Sequence, residues 1–142
     1  VIQTYSPTHE VLKYAFEQDY PGFFENQASL RKNLLYPPYC DLCQAVFIAK
    51  DEPAALLAAE TFIRIIKDLV SGEFKKIGVK VILPRITFVP MVDGKSRSRI
   101  LIKCKDNAET RRMLHIALLA FLKEKTQKDA LITLDMNPAS IL

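Results

Sequence analysis

The apolar and polar positions of this chain change period several times. Residues 41 to 49, DLCQAVFIA, put Leu42, Gln44, Val46 and Ile48 on one parity and Cys43, Ala45, Phe47 and Ala49 on the other. Alternate strand residues face opposite sides, so both sides of this strand are largely apolar, as expected of a central strand covered on both faces. PAALLAAETFIRIIKDLV then takes a helical period, with Leu56, Ala59, Ile63, Ile66 and Val70 on one face. Asp51 or Glu52 is its expected cap, with Pro53 in the first turn. Gly72 and Gly78 bracket the exit, and VKVIL, 79 to 83, reads as a second strand that Pro84 interrupts and RITFV continues as an edge. DGKS, 93 to 96, is a turn signal, and RSRILIKCK, 97 to 105, a third strand. Asp106 with Glu109 resembles a capping box for a helix running to about Lys125, and ALITLDM, 130 to 136, is the last strand. The order β-α-β-β-α-β is the split βαβ pattern of an α+β, ferredoxin-like sheet with two helices on one face.

Residues 1 to 35 stand apart from this module, which takes up 36 to 142. VIQTY reads as a strand with no hairpin partner beside it, and there is no initiator Met. The expectation is a piece of a larger protein with its first strand orphaned. Ser6 or Thr8 is the expected cap of a helix through EVLKYAFEQDY. PGFF restarts the chain, and a second helix runs through ENQASLRKNLL.

The composition fits one ordinary domain. Of 142 residues, 49% are hydrophobic and 25% charged, which excludes intrinsic disorder. A net charge of +4 permits a polyanionic partner, so the placement of the charge matters more than its amount. Three cysteines cannot form a closed disulfide framework, and a reducing, cytoplasmic compartment is expected. The apolar run MLHIALLAFL, 113 to 122, is too short to span a bilayer, and no signal peptide opens the chain, so no membrane association is expected.

The stretch YPPYCDLC, 36 to 43, offers competing chemistries. Each proline disfavours helical backbone in the residue before it and lacks an N–H, so YPPY reads as a stiff, extended strut with Tyr36 and Tyr39 packing on either side. Cys40 and Cys43 have metal-ligand spacing, but a structural zinc site needs four ligands, and His9, His115 and Cys104 are scattered. No metal site is assigned, and the thiols are expected in the core. The basic strand GKSRSRILIKCK is the sharper candidate. Ile100, Ile102 and Cys104 share one parity, while Arg97, Arg99, Lys103 and Lys105 share the other, broken by Leu101 and joined by Lys95 from the turn. One face would enter the core and the other present a basic stripe to nucleic-acid phosphates, which confer affinity without sequence preference. No catalytic constellation is visible, and with only four glycines there is no G-x-x-x-x-G-K-[ST] loop to cradle a nucleotide.

VIQTYSP, QDYPGFF and LRKNLLYPPY, in that order, with LDMNPASIL at the tail and GKSRSRILIK inside, resemble the C-terminal part of the bacterial primosomal protein N′ family. The resemblance covers nearly the whole chain, though 50 to 90 contributes little. It implies an ATP-dependent DNA helicase that restarts replication at stalled or branched forks, with ATP, magnesium and zinc bound by parts outside this sequence. It also implies that residues 1 to 35 end a helicase lobe, and that 36 to 142 form a ribosomal S10-like domain that contributes to DNA binding. Arg97 matches an arginine usual in the family, whereas Ser96 and Ser98 stand where it often has aromatics, which removes stacking platforms for unpaired bases. By the same resemblance, Arg111 and Arg112 would receive the acidic, hydrophobic-ended tail of single-stranded-DNA-binding protein, among other primosome partners. The reading is a non-catalytic, DNA-contacting module without cofactors of its own. The alternatives are a docking module whose basic strand packs on the helicase lobes, or a small S10-like RNA-binding protein.

Overall fold

The computed structural model describes residues 3–82, 94–124 and 129–140. The chain divides into two compact units, Val1–Tyr39 and Cys40–Leu142. Val1 and Ile2, the RITFV edge with Leu83 and Pro84, Asp93 of the turn, and Lys125 at the end of the last helix lie outside the described residues.

The first unit holds α1 (Glu10–Glu17) and α2 (Tyr20–Leu34), while Gln3 to Tyr5 form no strand. His9 caps α1, its Nδ1 accepting from the Val11 N–H at 3.3 Å, so neither Ser6 nor Thr8 has that role. Ser6 instead offers its carbonyl to the His9 N–H at 3.1 Å. The second helix starts at Tyr20 and includes PGFF, which does not restart the chain. Asp19 accepts from the Gly22 N–H at 3.0 Å, and Pro21 sits in the first turn, where an N–H is not needed. A side chain at residue 22 would meet that capping carboxylate, so glycine fits there. Tyr14 and Phe23 meet edge to face at 6.2 Å, yet neither helix has a buried residue.

YPPY is a turn and not an extended strut. The Tyr39 N–H donates to the Tyr36 carbonyl at 2.9 Å, with the Pro37–Pro38 peptide cis. Arg31 reaches forward from α2 and donates to the Pro37 carbonyl at 3.2 Å. These two hydrogen bonds fold the segment back towards its own helix, a geometry that the restriction of each pre-proline residue taken alone does not reveal.

The second unit runs β1 (Asp41–Ala49), α3 (Glu52–Ser71), β2 (Lys80–Ile82), β3 (Ser96–Cys104), α4 (Ala108–Lys123), β4 (Leu131–Met136). Its sheet is antiparallel with strand order β2-β3-β1-β4, the ferredoxin-like arrangement expected from the element order. Cys43, Ala45 and Phe47 of β1 and Ile100, Ile102 and Cys104 of β3 face α3 and α4 across the core. The rings of Phe47, Phe62 and Phe121 lie 5.7 to 5.9 Å apart, one from the strand and one from each helix. Ala59, Ile63 and Ile66 enter this core as the helical period predicts, but Leu56 and Val70 are only half-buried. The centre of the buried face is Phe62 with Ala55 and Ala58, because α3 packs on both the sheet and α4 and therefore buries a broader arc than one apolar row.

The caps are set by single residues. Asp51 accepts from the Ala54 N–H at 2.9 Å to start α3. Asn107, not Asp106, starts α4: it has extended backbone and accepts from the Thr110 N–H at 2.8 Å. Asp106 turns outward to Arg111 instead. Asn137, in a left-handed conformation, ties β4 to β1 by accepting from the Leu42 N–H at 3.2 Å and donating its own N–H to the Leu42 carbonyl at 2.7 Å. Its side chain also donates to Asp41, which in turn accepts from the Asp106 N–H at 2.8 Å.

Cys43 and Cys104 are buried on the helix side, and Cys40 precedes the strand. Burial pushes the Cys43 thiol up to about 12 and the Cys104 thiol up to about 11, each raised further by nearby groups that would be negative. Burial raises Cys40 too, against the pull of Lys103. Among the described residues no group of three or more His, Cys, Asp or Glu could hold a metal ion.

Two measurements test this core. Phe62→Ala removes the ring that joins α3 to the other two and should cost about 3–5 kcal/mol in denaturant unfolding; a loss below about 1 kcal/mol would contradict the packing. At pH 8 an aromatic disulfide reagent should label no more than Cys40 rapidly in the native chain, because thiolate is the reactive form, with Cys43 and Cys104 released only on unfolding.

Candidate nucleic-acid interface

The sheet face opposite the helices is built by the other parity of each strand. Cross-strand register sets Arg97 beside Ile48, Arg99 beside Val46, Leu101 beside Gln44 and Lys103 beside Leu42. On β4, Leu131, Thr133 and Asp135 continue the rows of Ile48, Val46 and Gln44. On β2, Lys80 and Ile82 continue those of Lys103 and Leu101. The face therefore mixes aliphatic and basic positions.

The five basic residues of the stripe do not form one continuous surface. Lys95 and Arg97 are exposed and Arg99 is half-buried at the end where Gly94, at φ 71°, turns the chain into β3. Lys103, read from its parity as part of the solvated stripe, is 7% exposed and offers no free ammonium to a polyanion. It shares this burial with its cross-strand neighbour Leu42 and with Gln44 on the same face, at 5% and 8% exposure. Lys105 is exposed just past the strand, roughly 27 Å from Arg97 at about 3.4 Å per residue. Ser96 and Ser98 pair with Ala49 and Phe47 on the helix side, so they do not share a face with the basic residues.

The two arginines of α4 separate in the same way. Arg111 binds Asp106 with both arms, Nε to Oδ1 at 2.6 Å and Nη2 to Oδ2 at 2.8 Å. This fork holds the Asp106 carboxyl below its ordinary value and pushes the guanidinium up. Arg111 also lines a groove of about 230 Å³ between α4 and the edge strand β4, walled by Leu114, His115, Leu118, Leu134 and Met136. Arg112 faces elsewhere: it pairs with Glu73 at 2.6 Å and sits 5.6 Å over the Phe74 ring. His115 is exposed at the rim of this groove.

The sequence pattern alone did not single out Asn107, Asn137 or the lysines of the α3–β2 connection. A signal was available for Asn107, since asparagine is a favoured N-cap residue and stands directly before the helical run, and for the lysines, in the pair of EFKKIG and the alternation of Lys80 with Val79 and Val81. Among the described residues no helix is long and apolar enough to cross a membrane.

The chain is 26% identical over 138 residues to the replication restart protein PriA of Bacillus subtilis (strain 168), covering 97% of this chain and 16% of that protein. It is 31% identical over 78 residues to PriA of Borreliella burgdorferi, covering 55% and 12%, and 28% identical over 106 residues to PriA of Thermotoga maritima, covering 75% and 13%. The chain thus spans less than a fifth of the length of these relatives. Residues 32–139 match the family model described as the primosomal protein N C-terminal domain, and the chain belongs to that family.

Proposed function

We propose that this chain is a non-catalytic module that contacts DNA without sequence preference and receives partners in replication restart at stalled or branched forks. The observation that carries the reading is the exposed pair Lys95 and Arg97, with Arg99 beside them, on a sheet face free of the two packed helices. Its support is that the relatives are replication restart proteins. Strand geometry projects these residues from one side at roughly 7 Å intervals, which lets several phosphates be met at once. Catalysis is assigned elsewhere in the longer protein, because this sequence has no phosphate loop and no nucleophile–base motif. ATP, magnesium and zinc likewise belong to other parts of such a protein, in the cytoplasm.

A second reading concerns the Arg111 groove. An acidic peptide with a hydrophobic carboxyl end, such as the tail of single-stranded-DNA-binding protein, fits a site with a guanidinium at the lip and Leu114, Leu118 and Met136 on the walls. Arginine binds carboxylates through two parallel hydrogen bonds, and Asp106 occupies those donors here as an internal stand-in. The tail would displace it. Arg112, engaged with Glu73, is not part of this site.

Each phosphate contact contributes about 0.9 to the slope of log K against log salt on duplex DNA. Changing Lys95, Arg97 and Arg99 together to alanine should therefore flatten that slope by roughly 2 to 3 units, equally for unrelated sequences. An unchanged slope in a folded variant would assign the face to docking on the rest of the protein. For the groove, Arg111→Ala should weaken an acidic, Phe-ended peptide by about tenfold or more, the worth of one charged hydrogen-bonded contact. Asp106→Asn should tighten it and Arg112→Ala leave it unchanged; isothermal titration would show all three.

A further inference from the structure

The antiparallel register places a second basic surface at the other end of the sheet from Lys95 and Arg97. The end of α3, the start of β2, the end of β3 and the start of α4 all meet there. Phe74 to Ile77 form a tight turn, the Ile77 N–H donating to the Phe74 carbonyl at 3.0 Å. The turn is anchored: Phe74 is 5% exposed, its N–H donates to the Leu69 carbonyl at 3.0 Å, and Ile77 packs on the core. Lys75 and Lys76 are its two central residues, and both are exposed. Lys80, also exposed, opens β2 as the partner of Lys103, and exposed Lys105 follows two residues beyond that partner. Diagonal neighbours of this kind have Cα atoms about 7–8 Å apart.

Three of the acidic groups nearby are already engaged, while Glu109 in the first turn of α4 is exposed. Glu73 is paired with Arg112, Asp106 is held by both arms of Arg111, and Asp41 accepts from the Asp106 N–H and the Asn137 amide. Lys75, Lys76, Lys80 and Lys105 form no ion pair among the described residues. None of the exposed large hydrophobic residues falls within 72–80 or 103–112. Among the described residues this cationic surface thus presents no exposed large hydrophobic side chain, unlike the Arg111 groove with its apolar pocket. A peptide tail needs such a pocket for its side chains, whereas a nucleic-acid backbone needs only point charges on a firm support.

We propose that Lys75, Lys76, Lys80 and Lys105 form a second contact for a nucleic-acid phosphate backbone, at the opposite end of the sheet from the Lys95–Arg97 surface. Two separated backbone contacts on one small domain suit a branched ligand, whose arms diverge, better than a single short duplex. The proposal rests on the reading of the chain as a DNA-binding module, and its test separates the two. The four lysines are changed to glutamine in the full chain, and binding to a three-way DNA junction is titrated against salt beside the Lys95, Arg97 and Arg99 alanine variant. The glutamine variant should flatten the slope by about 3 to 4 units with an unchanged melting curve, and changing all four to arginine should restore it. A milder variant, Lys75→Gln with Lys76→Gln in the exposed turn, should lose about 2 units even where the fourfold change disturbs folding. If the alanine variant flattens the slope and the glutamine variants do not, the second contact is absent while the DNA-binding reading stands. If neither set alters the slope, both fail. An equal loss of binding to polyglutamate and to DNA would overturn the choice of nucleic acid as the ligand.

Discussion

The contact of Phe47 with Phe62 and Phe121 is the constraint on which the second unit depends. The rings come from a central strand and from both helices, and each is essentially without solvent exposure. Once Phe47 points to the helices, the period of two fixes every other position of β1, and antiparallel pairing transmits that choice to β3 and β4. Cys43 and Ala45 must then face the core, Ile100 and Ile102 must follow, and the arginines of β3 must lie on the far face. A slip of one residue would send the arginines into the aromatic cluster. The basic surface is therefore held in place by the packing of a residue on another strand.

The charges of this unit sort by the ends of the sheet. Lys95, Arg97 and Arg99 gather where β3 begins, while Lys75, Lys76, Lys80 and Lys105 gather where it ends. Lys103, the cross-strand partner of Lys80, is buried in the sheet. Internal acid–base pairs take Arg111 and Arg112 out of the free positive charge and leave exposed lysines to supply it. Arg111 keeps a dual character, since the fork that now holds Asp106 has the geometry a foreign carboxylate would need.

The first unit obeys different physics. Phe16, Tyr20, Phe24, Leu30 and Leu34 are exposed, and α1 and α2 bury no residue. Local capping, the left-handed ends at Gln18 and Leu35 and a few ring contacts hold it together. Burial of apolar area is the main favourable term in folding, so these helices have a much smaller share of it than the Phe47 cluster.

The period of two at 41–49, the helical period at 53–70 and the basic alternation at 97–105 determined the element order and the ferredoxin-like sheet. These are properties of single segments, and a segment carries its own periodicity whatever it packs against. The far-side parity of Arg97 and Arg99 was legible for the same reason. Only tertiary structure decided the rest. Parity states a direction but not what stands beside a side chain, so the burial of Lys103 between β2 and β1 had no signature in the strand itself. The clasp of Asn137 on Leu42 across 95 residues of chain, and the diversion of the Asp106 N–H to Asp41 that leaves Asn107 as the cap, depend on where another element offers a partner. The same holds for the YPPY turn, closed by hydrogen bonds that include one from Arg31, and for the two basic surfaces, which the sequence lays down as scattered lysines and arginines and which antiparallel pairing alone carries to opposite ends of one sheet.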